Sequence, residues 1–211
     1  DMPLNEALQK AIKAEGYSTP TPIQAEAIPS ILQGSDIIGC AQTGTGKTAA
    51  FALPILQRLH THGRPTPRRS CRTLVLSPTR ELASQIRESF KTYGRYLPFT
   101  SKSIFGGVPI GRQIRDIGKG FDIIVATPGK LLSHLQQGYV DFSQVQHLIL
   151  DEADKMLDMG FADDLIKIIS FLPKERQNLM FSATMPPKRT VTPRTLSRGT
   201  AVSAIVVLTC S

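Results

Sequence analysis

Between the apolar run Asp36–Cys40 and a segment of helical periodicity stand Ala41-Gln42-Thr43-Gly44-Thr45-Gly46-Lys47-Thr48. Gly44 and Gly46 have no Cβ, so the backbone there can turn several N–H groups inward toward one point. The helix that follows adds the positive end of its dipole. Such a cradle takes phosphate oxygens, Lys47 would reach the outer phosphates, and Thr48 would place its hydroxyl on a magnesium ion. A second group, Asp151-Glu152-Ala153-Asp154, ends the apolar run that begins at His147. Asp151 there would hold the magnesium shell, while Glu152 would orient and deprotonate an attacking water. The two groups together describe hydrolysis of a nucleoside triphosphate.

Bringing them to one place requires strands that end at the same sheet edge. Short apolar runs recur at Asp36–Cys40, Thr73–Ser77, Thr100–Phe105, Ile123–Ala126, His147–Leu150 and Leu179–Ser182, rich in Ile, Val and Leu. That composition predicts strands buried on both faces. Amphipathic helices are predicted at Leu4–Ala14, Ile23–Leu32, Lys47–Leu59, Arg80–Tyr96, Ile110–Ile117, Gly129–Gln136 and Ala162–Phe171. The alternation predicts an α/β fold with a doubly wound parallel sheet, whose ligands sit beyond the carboxyl ends of the strands. Gly63–Arg72, with its prolines and arginines, is expected to be a surface loop, and Ala201–Leu208 a last strand.

Composition narrows the rest. At 211 residues, one large domain with some surplus is expected. Hydrophobic residues at 41% and charged residues at 20% exclude a disordered or fibrous chain. No apolar stretch approaches the roughly 18 residues of a membrane helix, so a soluble protein is expected. Cys40, Cys71 and Cys210 lack zinc-site spacing and imply a reducing, cytoplasmic setting without a metal cage. The chain opens at Asp1 without a methionine or an apolar leader, as an excised piece would. Of the net charge of +8, four units come from Lys188, Arg189, Arg194 and Arg198, so charge alone is a weak sign of a polyanionic partner.

Further motifs give a resemblance. The chain resembles the first RecA-like domain of a DEAD-box ATP-dependent RNA helicase, a P-loop NTPase family named for the residues that stand here as Asp151 to Asp154. Gly16-Tyr17-Ser18-Thr19-Pro20-Thr21-Pro22-Ile23-Gln24 resembles its Q motif, and Pro78-Thr79-Arg80-Glu81-Leu82 its motif Ia. Gly106-Gly107, Thr127-Pro128-Gly129-Lys130 and Ser182-Ala183-Thr184 follow in the family's order. The likeness covers residues 1–187, leaving 188–211 as an atypical tail, expected to be foreign, frame-shifted or rearranged.

The resemblance implies ATP and Mg²⁺ as cofactors, with Tyr17, Thr19 and Gln24 at the adenine and residues 41–48 on the phosphates. A glutamine amide donates and accepts at once, as the N6 and N7 edge of adenine requires. A further aromatic that the family stacks on adenine would lie upstream of Asp1. Thr79, Arg80, Gly106, Gly107, Thr127, Gly129 and Lys130 are implied to hold one RNA strand by its phosphates and sugars, which gives affinity without sequence preference. Lys130 stands where the family commonly has arginine, so the charge is kept and the bidentate fork is lost. Asp154, Ser182 and Thr184 are implied to couple hydrolysis to strand separation. The family takes its arginine fingers from a second RecA-like domain, for which no motif is found after Thr184. Two other readings stay open: a nucleotide- and RNA-binding module without activity, and a P-loop ATPase of another kind, against which the Gln24 setting argues.

Overall fold

In a computed structural model, residues 3–42, 44–63, 66, 68–107, 110–184 and 205–209 are described. Strands β1 (Asp36–Cys40), β2 (Thr73–Leu76), β3 (Ser101–Ile104), β4 (Ile123–Ala126), β5 (His147–Leu150), β6 (Gln177–Ser182) and β7 (Ile205–Thr209) form one sheet. Their order is β3-β4-β2-β5-β6-β1-β7, with every pair parallel. The helices are α1 (Glu6–Ala14), α2 (Pro22–Leu32), α3 (Lys47–Thr61), α4 (Arg80–Tyr93), α5 (Ile110–Ile117), α6 (Pro128–Gln136), α7 (Ala153–Asp158) and α8 (Ala162–Ser170). Among the described residues no helix is long and apolar enough to cross a membrane.

Because successive strand residues point to opposite faces, β1, β2, β4, β5 and β6 each serve two cores. Ile37, Val75, Ile149, Leu179 and Phe181 pack with α1 to α4, whereas Ile38, Leu74, Leu76, Leu148 and Met180 pack with α6 to α8. Each such side chain withdrawn from water contributes about 1.5–3 kcal/mol before entropy is counted. Gly39 leaves the room that Phe181 fills, since a Cβ there would lie 2.7 Å from its ring.

The helix limits follow from capping. Asn5 caps α1 by accepting from Leu8 N, and at the start of α2 the N–H of the N-cap Thr21 donates to Gln24 Oε1. α4 stops at Tyr93 rather than Tyr96 because Gly94 takes the C-cap. α7, six residues long, was not expected from the sequence. β6 starts two residues before the apolar run, since the Gln177 amide donates to Ile31 O and Ser35 O and Asn178 pairs with Asp36.

The loop reading of Gly63–Arg72 needs correction at its end. Ser70, Cys71 and Arg72 are buried, and Arg72 Nη2 is bound to Asp122 Oδ1 at 3.0 Å. Burial costs a guanidinium much unless it is paired and hydrogen-bonded; here Asp122 also receives Thr66 Oγ1 and Thr100 N. Those donors and Arg72 hold the Asp122 carboxyl below its ordinary range, against the opposing push of burial. Cys40 and Cys71 are free and buried, and Cys210 lies outside the described residues, as do Thr43 and residues 185–204, which include the first part of the tail. The tail's Ile205–Thr209 pairs with β1, from Asp36↔Ile205 to Cys40↔Thr209, and so joins the same sheet.

Candidate functional site

The parallel strands deliver their carboxyl ends to one edge, and the strand order sorts six of those ends into two groups. β5, β6 and β1 are neighbours and carry the phosphate loop, the acidic group and Ser182 to Thr184. β3, β4 and β2 are neighbours and carry Gly106-Gly107, Thr127 and Thr79-Arg80.

In the first group Gly44 and Gly46 have φ of 85° and 87°, left-handed values that a side chain would strain. A Cβ on Gly46 would also lie 2.5 Å from Gln24 Nε2. The loop is braced by Thr45 Oγ1 donating to Gln42 O at 2.7 Å and by Ala41 N donating to Ser182 O at 3.0 Å. α3 begins at Lys47, so its open N–H groups face the loop. Lys47 is buried, and its Nζ has no hydrogen-bond partner. Thr48, one residue on, is partly buried.

Asp151 follows β5, its amide held by Leu76 O at 3.0 Å, and its Oδ1 is buried without a partner. Burial pushes its pKa up to about 6, with Glu152 and Asp154 adding to the rise and Lys47 opposing it. Glu152 has φ of 51°, a left-handed value that costs a residue with a Cβ about 1–2 kcal/mol. Its carboxylate lies 3.6 Å from Lys155 Nζ. Asp154 Oδ2 accepts from Ala183 N, Thr184 N and Thr184 Oγ1, each at 3.1 Å. Burial raises the Asp154 pKa, but bonds from Lys155 and Thr184 outweigh it and hold the carboxyl below its ordinary value. Lys47, Leu82, Glu152, Asp154 and Ala183 line a cavity of about 430 Å³.

Beside the loop, Tyr17, Thr19, Gln24, Leu4, Lys13 and Leu53 line a second cavity of about 410 Å³. Gln24 Oε1 accepts from Thr21 N, and its Nε2 donates to Gly46 O at 3.2 Å. The amide therefore ties the helix start to the phosphate loop, with one N–H and one lone pair left over. The half-exposed Tyr17 rests its ring on Tyr93 of α4, and the two hydroxyls are 3.4 Å apart.

In the second group Thr79 caps α4, its Oγ1 accepting from Leu82 N at 3.3 Å. The Arg80 guanidinium lies 5.0 Å over the Phe105 ring. Gly107, at φ 83°, is close enough that a Cβ there would meet Arg80 Nη1 at 2.9 Å. Thr127 is the N-cap of α6 but makes no side-chain cap bond. Gly129 is exposed and Lys130 partly so, both in the first turn of α6.

The family model described as DEAD/DEAH box helicase matches residues 21–192. The chain belongs to this family. The ATP-dependent RNA helicase DeaD of Mycobacterium tuberculosis (strain ATCC 25618 / H37Rv) is 45% identical over 188 residues, 89% of this chain and 32% of that protein. The ATP-dependent RNA helicase CshA of Limosilactobacillus reuteri is 44% identical over 188 residues, 89% of this chain and 37% of its own length. The chain thus spans about a third of the curated relatives it matches. A solved DEAD box protein from Methanococcus jannaschii superposes with a TM-score of 0.85 at 33% identity, covering 99% of this chain and 54% of that one. A hypothetical ATP-dependent RNA helicase from Sulfolobus tokodaii gives 0.83 at 34%, covering 97% and 57%.

This DEAD/DEAH box domain holds its acidic segment as a bent link rather than a flat strand end. Glu152 turns the chain so that α7 starts at Ala153, and Asp154 then reaches back to β6. The sequence reading passed over Phe105 and Ser77. Phe105 had a visible signal, an aromatic residue directly before two glycines; Ser77 had only its place before Pro78-Thr79-Arg80.

Proposed function

We propose that this domain binds ATP with magnesium at the ends of β1, β5 and β6, and the backbone of one RNA strand at the ends of β2, β3 and β4. It forms the N-terminal RecA-like half of an enzyme that couples ATP hydrolysis to local opening of RNA duplexes. The observation that carries this is the pairing of a buried, unpartnered Lys47 Nζ with a buried, unpartnered Asp151 Oδ1 around a two-glycine loop. Two such groups are costly in an empty fold and become satisfied by a phosphate and a hard cation.

Thr48 and Asp151 would hold the magnesium, whose oxygen preference matches a hydroxyl and a carboxylate. When bound it neutralises charge on the phosphates. Lys47 binds the outer phosphates, and the strained Glu152 takes a proton from the attacking water. Asp154, fixed on Ala183 and Thr184, carries the state of the phosphate site to the end of β6. The second half of the enzyme supplies the arginine that meets charge on the transferred phosphoryl group, an effect of about 10³–10⁵ in comparable NTPases. Arg80 is no substitute, since its guanidinium is engaged with Phe105 among the RNA-facing residues. The isolated domain therefore binds nucleotide and hydrolyses it barely.

Thermal melting tests the assignment. At a hundredfold excess over Kd, Mg·ATP or Mg·ADP adds about 2.7 kcal/mol, or roughly 5–11 °C in a domain of this size. Lys47→Ala removes the shift, and GTP gives a smaller one than ATP. An equal shift in the variant overturns the phosphate assignment; equal shifts with ATP and GTP remove the adenine role of Gln24.

A further inference from the structure

We propose that Ser77 is a further positioning residue of the nucleotide site, holding Asp151 and the hydration shell of the divalent cation that Asp151 is built to bind. This rests on the nucleotide reading above. Ser77 follows β2 and is wholly buried, yet its Oγ has no hydrogen-bond partner. β2 and β5 pair in parallel with Leu76 opposite Leu150, and the ladder runs one step further through Asp151 N to Leu76 O. Ser77 N itself donates to Ala126 O at 3.0 Å, so the ladder toward β4 also continues one step past the end of β2.

Ser77 and Asp151 are thus neighbours across one strand spacing of about 4.8 Å. Alternation sets both on the same face of the sheet. Val75 and Ile149, two residues before each, belong to the core packed on α3, the helix that starts at Lys47. Three buried polar atoms, Ser77 Oγ, Asp151 Oδ1 and Lys47 Nζ, are therefore without partners on one face at one edge.

A buried hydroxyl with no partner is a net burden on the folded chain, and alanine would fit the same space. Its chemistry becomes useful once the site is filled. The hydroxyl can donate to one Asp151 oxygen, leaving the other for the cation, or accept from a water that the cation orients. A group that orients a metal-binding carboxylate in this way typically changes metal affinity by about ten-fold or more. Ser77 also joins the two halves of the edge, since the next residues, Pro78, Thr79 and Arg80, turn into the RNA-facing group.

Titration calorimetry of this chain with ADP, in Mg²⁺ and in EDTA, tests the idea. Ser77→Ala is expected to lose about ten-fold of the Mg²⁺-dependent gain in ADP affinity and to match the wild type in EDTA. Its ligand-free melting temperature is expected to stay level or rise by about 1–4 °C, because an unsatisfied hydroxyl is gone. Ser77→Cys, with similar volume and a weak donor, is expected to show the same pattern. Unchanged Mg²⁺ dependence, equal losses in both media, or a lower ligand-free melting temperature each overturn the proposal. Failure of the nucleotide reading is distinct: wild type and Lys47→Ala would then bind ADP alike.

Discussion

The two halves of the sheet edge are built from the same elements, strand ends turning into helix starts, and they treat their polar groups in opposite ways. Around β1, β5 and β6, Lys47 and Asp151 are buried without partners and Glu152 is held in a strained conformation. Around β2, β3 and β4 the groups of the proposed RNA surface are nearer the solvent, and two of them are already engaged: Thr79 with Leu82 N, Arg80 with Phe105. The first half stores an electrostatic demand that a small, highly charged ligand meets. The second presents a prepared surface, suited to a long polyanion bound by many weak contacts. Substitutions in the first half should therefore change chemistry and stability in opposite directions, while those in the second change affinity and stability modestly.

The largest effect is expected at Glu152. In the full-length enzyme Glu152→Gln keeps the shape and loses the base, so turnover should fall by about 10²–10⁴ while nucleotide binding stays within a few-fold. Single-turnover hydrolysis measured beside ADP affinity separates the two. Turnover within a few-fold of the wild type would assign the base elsewhere and leave the strain at this residue without a catalytic purpose.

Next in size is Asp151→Asn, which should stabilise the ligand-free domain. The ordinary carboxyl value of 3.8 rises to about 6 in the fold, a gap equivalent to about 3 kcal/mol against the ionised form. A raised pKa means the penalty is absent below pH 4, grows between pH 4 and 6, and is complete above pH 6. The neutral isostere should thus gain up to about 3 kcal/mol at pH 7.5 and nothing at pH 3.5, while losing the Mg²⁺ dependence of nucleotide binding. Urea unfolding across that range checks it. A loss of stability at pH 7.5 would mean that Lys47 depends on this carboxylate more than burial opposes it.

How legible these halves were in the sequence follows from the same contrast. The strands β1, β4 and β5 coincide with the runs read from the sequence because a strand buried on both faces shows as a near-continuous apolar stretch, even where it opens on a polar residue as β1 does at Asp36 and β5 at His147. The phosphate loop and the acidic group were legible because glycine, lysine and carboxylate at fixed spacing have few other uses after a strand. β6 was read short because Gln177 and Asn178 look like loop residues until their partners across the fold are known. α7 is too short to show a period, and Arg72 resembled solvated charge until Asp122, fifty residues away, was placed beside it. Ser77 was invisible because a lone serine carries no pattern, and its meaning lies wholly in which strand runs next to it.

A smaller effect, confined to the second half, is expected at Gly107. Its φ of 83° and the 2.9 Å approach of Arg80 Nη1 mean that alanine there both strains the backbone and displaces the guanidinium. Gly107→Ala should weaken single-stranded RNA binding about 3–10-fold, with about 1–2 kcal/mol of stability lost. Gly106→Ala, where a Cβ meets nothing within 4 Å, should do much less. Equal effects at both positions would deny Arg80 its place in RNA binding.

The smallest effect gives the sharpest view of the second half. Thr79 and Thr127 are both N-cap residues in extended conformation, at φ −127° and −91°, and both precede helices at the proposed RNA surface. Thr79 spends its hydroxyl on Leu82 N, so Thr79→Ala should cost about 1 kcal/mol, or roughly 2–4 °C in melting temperature. Thr127 makes no side-chain cap bond, and the Pro128 that follows has no N–H to offer. Thr127→Ala should therefore leave stability within about 0.5 kcal/mol. Its hydroxyl is free for a phosphate oxygen, so the same variant should still weaken RNA binding, by about 2–5-fold for one neutral hydrogen bond. Melting and RNA titration of both variants give four numbers. If Thr127→Ala destabilises as much as Thr79→Ala, or leaves RNA affinity untouched, the second half is a set of ordinary helix caps at this point, and the RNA contact must be sought at Lys130 and Gly129 instead.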